Sequence, residues 1–176
     1  MHTNYKYKRI IILGGGGSGK STLANRISLY TGYPVYHLDH MLLDSNWQMK
    51  DKKEWAEISK EFLSKDTGIV DGNYKSAIPD RIKWADLIIF IDIPTRVQLL
   101  RILKRFIRNS FKLDQRYGYP EGSKEEISFK FLLWVCTWNK NQKNKISSLL
   151  SEDYAKNKKV IVINEPRQLN LKELLS

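Results

Sequence analysis

The stretch Arg9-Ile10-Ile11-Ile12-Leu13-Gly14-Gly15-Gly16-Gly17-Ser18-Gly19-Lys20-Ser21-Thr22 decides the fold. Residues 14–21 fit the spacing G-x-x-x-x-G-K-[ST] of a phosphate-binding P-loop. The residues before it read as a short buried strand. Residues 22–30 carry apolar side chains at 23, 27 and 30, on one face of a helix. A P-loop is credible only between a strand and a helix, and this one has both. Glycines without a Cβ let the main chain approach a phosphate, and successive N–H groups form an anion nest. The following helix adds unpaired N–H groups and the positive end of its dipole. The expected nucleotide contacts are therefore Gly14, Gly15, Gly16, Gly17, Ser18, Gly19, Lys20, Ser21 and Thr22. Lys20 supplies a mobile cation for the β- and γ-phosphates of ATP, and the Ser21 hydroxyl is placed to ligate Mg²⁺.

With 176 residues the chain makes one domain with a substantial core. No run approaches the roughly 18 apolar residues of a membrane span. Residues 1–8 are polar, unlike a secretory signal. The single Cys136 excludes an internal disulfide framework and fits a reducing, cytoplasmic setting. Its apolar helical neighbours make it read as a packed thiol. The net charge of +11 suits polyanionic partners, either nucleotides or nucleic acid. Arg101, Lys104, Arg105, Arg108, Lys112 and Arg116 cluster with only Asp114 against them. A second basic group, including Lys156, Lys158 and Lys159, reads as solvated surface.

Strand-like and helix-like runs alternate along the chain. This predicts an α/β, three-layer P-loop NTPase fold: a five-stranded parallel sheet flanked by helices, with a small lid. The strand candidates are 9–13, 34–38, 67–71, 86–91 and 159–163. Helices are expected at 52–64, burying Trp55, Ile58 and Phe62, and at 95–109, with Leu99, Ile102, Leu103 and Phe106 on one side. Another is expected at 124–150, carrying Ile127, Phe131, Trp134 and Trp138, and a short one at 168–175. Residues 109–123 show little apolar periodicity and contain Gly118, Pro120 and Gly122. A loop that long in a compact domain reads as an active-site lid.

Ligands of open parallel sheets sit beyond the carboxyl ends of the strands, so the residues leaving each strand matter most. Asp39 follows the second strand and is a candidate for accepting a proton from a substrate hydroxyl, or for holding that substrate. His37 and His40 beside it are a weak metal pair. Asp71 ends the third strand like a Walker-B carboxylate, a candidate Mg²⁺ ligand directly or through water. Asp92, after the fourth strand, competes for that role, but helix capping accounts for it. Gly72 leaves ligand space beside Asp71. Arg101, Arg105 and Arg108 are spaced i, i+4, i+7 and form a ridge roughly opposite the apolar face of their helix. The ridge runs into the lid, where arginines can close over phosphates and offset charge developing in phosphoryl transfer.

The P-loop, Leu38-Asp39, Asp71-Gly72-Asn73-Tyr74, Arg81, Ala85-Asp86 and the run Arg101-Ile102-Leu103-Lys104-Arg105 together resemble the DNA topology modulation (FlaR-like) proteins. Phe131-Leu132-Leu133-Trp134-Val135 agrees with that likeness. These proteins are an adenylate-kinase-like branch of the P-loop kinases, and the resemblance spans about residues 9–140. It implies that Arg101 lies against adenine and that Arg105 contacts phosphates. Asp71-Gly72 is similar to the Asp-Gly opening the nucleoside-monophosphate side of adenylate kinase. Asn73-Tyr74 stands where that family usually has Phe-Pro-Arg, so the likeness does not extend to AMP as acceptor.

Three readings follow. In the first, ATP and Mg²⁺ occupy the P-loop, and the γ-phosphoryl passes to a nucleotide, nucleoside or other small acceptor near Asp39, Asn73, Tyr74 and Arg81. Lys20, Asp39, Arg105 and Arg108 would be the catalytic groups. In the second, the chain is a nucleotide-regulated DNA-binding protein, although no helix-turn-helix or zinc module is legible. In the third, it is a small-molecule kinase of the shikimate or gluconate type, with Asp39 binding the acceptor. Trp47, Tyr74 and Trp138 are the aromatic candidates for stacking on a base.

Overall fold

A computed structural model of the chain describes residues 5–43, 50–74, 78–110, 129–138, 144–151 and 155–176. Its five strands are β1 (Arg9–Gly14), β2 (Val35–His37), β3 (Gly68–Asp71), β4 (Leu87–Ile91) and β5 (Lys159–Ile163). They form one parallel sheet in the order β2-β3-β1-β4-β5. β1 is central, which puts the glycine-rich run in the middle of the sheet's carboxyl edge. Ile12 lies level with Asp71 of β3 and with Ile89 of β4.

Alternation along the strands produces two cores. Ile10, Ile12, Ile69, Leu87 and Ile89 face one side, against Leu23, Ala24 and Ile27 of α1 (Lys20–Thr31) and Leu175 of α8 (Leu171–Leu175). Ile11, Leu13, Val70, Ile88 and Phe90 face the other. They pack on Leu38 and Leu42 of α2 (Leu38–Leu42), Phe62 of α3 (Lys52–Leu63) and Ile82 of α4 (Ile78–Trp84). Trp138 of α6 (Phe129–Trp138) and Ile146 of α7 (Asn144–Ser151) complete that layer. Each fully buried isoleucine contributes about 2 kcal/mol, so the two apolar sheet faces are the main driving force.

Local chemistry sets the helix ends. The Asp51 carboxylate caps α3 by accepting from the Lys53 and Glu54 amides, both at 2.8 Å. α1 stops at Gly32, whose φ of 77° lets its N–H return to the Ser28 carbonyl. Asn170 caps α8 through the Glu173 amide.

The predicted sheet is present, with ends shifted by a residue or so. Other expectations need correction. Of the helix expected over 124–150, the described residues hold α6 and α7, and 124–128 and 139–143 lie outside them. α2 and α4 are short helices that the periodicity did not signal. Tyr30 is exposed, and Leu103, expected in the core, is 53% exposed. The reason lies in how α5 (Thr95–Ser110) meets the P-loop. Its inward stripe is Gln98, Arg101, Ile102 and Arg105, so the arginine ridge borders the core. Cys136 is exposed, on the outer side of α6. No described helix is long and apolar enough to cross a membrane. Residues 111–123 of the expected lid lie outside the described residues, and 109–110 end α5.

Asp86 fixes the opposite edge of the sheet. Its Oδ2 accepts from the amides of Lys8 and Arg9, and its Oδ1 pairs with the Arg9 guanidinium at 2.6 Å. Burial pushes its carboxyl up, but these hydrogen bonds outweigh it and hold the carboxyl below the ordinary aspartate range. The resulting stability is present at neutral pH and is lost as pH falls through that lowered value. Asp86→Asn is expected to cost about 1 kcal/mol at neutral pH. Urea unfolding of both proteins should show the gap closing in strong acid, once wild-type Asp86 is protonated too.

Candidate active site

The P-loop leaves β1 at Gly14 and is held from every side without a side chain entering it. The Gly14 amide donates to Asn73 Oδ1 at 3.1 Å, and Asn73 Nδ2 donates back to the Gly14 carbonyl. Asn73 thereby ties the loop to the end of β3. Gln98, fully buried on α5, lies beneath the loop and donates from Nε2 to the Ile93 carbonyl. Arg101 Nη1 donates to the Ser18 carbonyl at 3.1 Å. α6 closes the remaining side: a Cβ on Gly16 would meet the Trp134 ring at 3.1 Å and Val135 at 3.2 Å. Gly17 has φ +72°, and a Cβ there would lie 2.7 Å from the Gln98 carbonyl oxygen. Lys20 Nζ rests on the Gly15 carbonyl at 3.2 Å, and Ser21 and Thr22 open α1 behind it.

Beside the loop lies a cluster of charges from the ends of β2 and β3. Asp71 is buried, and its Oδ2 meets His37 Nδ1 at 3.1 Å. Burial pushes the Asp71 carboxyl up, yet His37, Lys20 and the neighbouring Ser21 hydroxyl together hold it below the ordinary range. Its Oδ1 is buried with no hydrogen-bond partner among the described residues. A buried anionic oxygen without a partner is costly. Set beside the Ser21 hydroxyl, it fits a Mg²⁺ ion, which takes oxygen ligands and leaves positions for phosphates and water.

Asp39 sits in the first turn of α2. The residue is exposed, yet protein atoms crowd its carboxylate. That crowding pushes its pKa up by desolvation, and Asp71 adds to the rise. Lys20, His37 and Arg81 oppose it, and the exposure tempers the whole effect.

Arg81 is fully buried on α4. Its guanidinium donates to the carbonyls of Gly72 and Tyr74, both at 2.7 Å. Burial lowers its pKa to about 10, against the pull of Asp71 and Asp39, so it stays charged at neutral pH. Tyr74 is half-buried against Trp55, and burial together with Asp39 raises its phenol pKa. Asn73 and Arg81 thus hold backbone, while Asp39 and Tyr74 face each other electrostatically.

The sequence reading missed the far side of the loop. Residues 164–169 follow β5, and Pro166 lies 3.5 Å from where a Gly19 Cβ would be, with Arg101 Nη1 at 3.9 Å from the same point. Arg26 of α1 grips this turn: Nη1 donates to the carbonyls of Pro166 at 2.6 Å and Arg167 at 3.2 Å, and Nη2 to Leu169 at 3.3 Å. No spacing rule links Arg26 to residues so distant in sequence. Trp138, expected as a stacking candidate, is core, 2% exposed against Phe90. Trp47 lies outside the described residues. Arg105 is half-buried and Arg108 exposed near the end of α5.

The fold is a five-stranded parallel α/β fold with the P-loop at its centre, and solved kinase structures share it. A shikimate kinase from Acinetobacter baumannii, solved with shikimate, is similar with a TM-score of 0.60 and 12% identity over 96% of this chain and 89% of that one. A gluconokinase from Sinorhizobium meliloti 1021 is similar with a TM-score of 0.52 and 17% identity over 94% of this chain and 86% of that one. At such identities the likeness establishes the fold alone. No protein-family model matches the chain, and no curated protein matches it by sequence.

Three expectations follow. Gly32 also has positive φ but nothing within 4 Å of its would-be Cβ, so Gly32→Ala should cost about 1 kcal/mol in urea unfolding. Gly17→Ala meets backbone as well, and should cost more and weaken ATP binding by roughly tenfold or greater in calorimetry. Arg26→Gln releases the 166–169 turn. It should raise the KM for ATP by about tenfold while kcat stays within about twofold, as expected for lost uniform binding.

Proposed function

We propose that this chain is an ATP-dependent phosphotransferase acting on a small acceptor with a free hydroxyl group. One observation carries the reading. A buried oxygen of Asp71, with no hydrogen-bond partner among the described residues, stands with Ser21 and Lys20 at the mouth of the P-loop, while a second acidic residue, Asp39, is exposed in the field of the same lysine. The first three groups suit a nucleotide's phosphates, and the last suits an acceptor.

The acceptor oxygen attacks the γ-phosphorus, forming a new P–O bond. The bond from that phosphorus to the β,γ-bridging oxygen breaks and ADP leaves. The hydroxyl proton passes to the Asp39 carboxylate, whose raised pKa makes it a better base than an ordinary aspartate. Lys20 leaves the Gly15 carbonyl for the β- and γ-phosphates. Mg²⁺ would be held by Ser21 and Asp71, and would neutralise phosphate charge there. Arg101 and Pro166 flank the nucleoside of ATP. Arg105 and Arg108 reach the phosphates from the lid hinge, with 109–123 as the lid of this single domain. Tyr74 touches the acceptor, and Asn73 and Arg81 act on it by positioning the 72–74 loop.

The FlaR-like likeness belongs to this proposal, supported by the motifs quoted above. A cytoplasmic location rests on the single cysteine. DNA binding has only the net charge in its favour, and no described feature adds to it.

Lys20→Ala should lower ATP turnover by about a hundredfold or more with the fold retained. Asp39→Asn should lower kcat by about 10²–10⁴-fold with little change in the KM for ATP. An ADP-release assay over nucleosides, nucleoside monophosphates and sugar acids reads both. Unchanged turnover in the Lys20 variant would overturn the kinase reading.

A further inference from the structure

The acceptor side of the P-loop has a second wall that the charge cluster does not use. Phe131 and Trp134 of α6 are stacked, with ring centroids 6.0 Å apart and planes at 21°. The same two rings crowd Gly16, at 3.6 Å and 3.1 Å from its would-be Cβ. Trp134 is nevertheless 41% exposed. α6 lies under β4, since Trp138 packs on Phe90. Asp39 is on α2, whose Leu38 and Leu42 pack in the core cluster that also holds Trp138, and Tyr74 packs against that cluster, which puts α2 and Tyr74 on the same face of the sheet as α6. The P-loop leaves β1 between these two groups. Its mouth therefore has a carboxylate on one flank and, on the other, an exposed indole backed by a half-buried phenyl ring.

Charge narrows what can bind there. Among the described residues around this mouth, the Arg81 guanidinium is committed to two backbone carbonyls. Arg101 is bound to the Ser18 carbonyl, and Lys20 belongs to the donor phosphates. An acceptor carrying a carboxylate or phosphate would face Asp39, and the cations that could offset that repulsion, Lys20, His37 and Arg81, are already set against Asp39 and Asp71. A neutral acceptor with a hydroxyl for Asp39 and a flat ring for Trp134 suffers neither cost, and base–aromatic stacking adds affinity.

We infer that the phosphoryl acceptor is a nucleoside, its sugar hydroxyl directed to Asp39 and its base stacked on Trp134, with Phe131 backing the indole. This rests on the kinase reading above and names its substrate class. Phosphoryl transfer then forms a nucleoside monophosphate and ADP, with the hydroxyl proton on Asp39.

The test uses the full chain with a nonhydrolysable ATP analogue. Adenosine, guanosine, cytidine, thymidine and their ribo- or deoxy-counterparts are compared with AMP, gluconate and shikimate by thermal shift. Phosphoryl transfer from ATP to each is then measured. At least one nucleoside should raise the melting temperature and be phosphorylated, and the acids and AMP should do neither. Trp134→Leu should raise the KM for that nucleoside roughly tenfold, well beyond any rise in the KM for ATP from looser packing on Gly16, and Trp134→Phe should restore most of the loss. Nucleoside binding should quench indole fluorescence in the wild type and lose most of that quenching in Trp134→Leu. Transfer to gluconate, shikimate or AMP in preference to every nucleoside overturns this inference and leaves the kinase reading standing. So does an unchanged nucleoside KM in Trp134→Leu, or the absence of any nucleoside shift while the ATP analogue binds. Failure of the ATP analogue itself to bind removes the kinase reading and this inference together.

Discussion

The structure is organised by the need to hold six consecutive backbone units, Gly14 to Gly19, in a tight turn, in which the Gly14 and Ser18 amides hold the turn itself through Asn73 and the Gly15 carbonyl. No side chain can occupy the inside of such a turn, so its rigidity must come from outside. Asn73 clamps its first residue, Gly14, through two hydrogen bonds. Gln98 and Ile102 support it from α5, Arg101 holds its carbonyl at Ser18, and α6 lies against Gly16. β1 is central because only there can neighbouring strands on both sides supply these supports.

The charges around the turn obey a second constraint. Asp71 and Arg81 are buried and would each be costly alone. Asp71 survives as a carboxylate because His37, Lys20 and Ser21 favour the ionised form over its desolvation. Arg81 is held by two carbonyls and by the fields of Asp71 and Asp39. The arrangement has cations and carboxylates in near balance, yet one carboxylate oxygen of Asp71 has no hydrogen-bond partner among the described residues. The remaining polar demand is thus concentrated where Ser21 and Lys20 also converge.

Much of this was legible as spacing. The P-loop, the apolar strands and Asp71 at the end of β3 each depend on residues close in sequence, and the structure has them as read. Misreadings arose where tertiary contacts rotate a helix or recruit a distant residue. Leu103 is exposed because α5 turns Gln98 and Ile102 toward the P-loop. Asn73 and Arg81 read as substrate contacts, but their polar groups hold Gly14, Gly72 and Tyr74. Asp86, part of the family-like motif, pins the start of β1 at the edge far from the P-loop.

The sequence by itself determined the strand–loop–helix with P-loop spacing, the parallel α/β architecture and the carboxylates leaving β2 and β3. These follow from local periodicity and from glycine and lysine chemistry at fixed spacing. Only the tertiary structure decided which groups surround the phosphate loop. Arg26 on the 166–169 turn, Trp134 on Gly16 and the division of Asp39 from Asp71 into an exposed and a buried acidic residue depend on packing between segments far apart in the chain. Spacing carries no record of such contacts, because burial and hydrogen-bond partners are set by which surfaces the folded layers bring together.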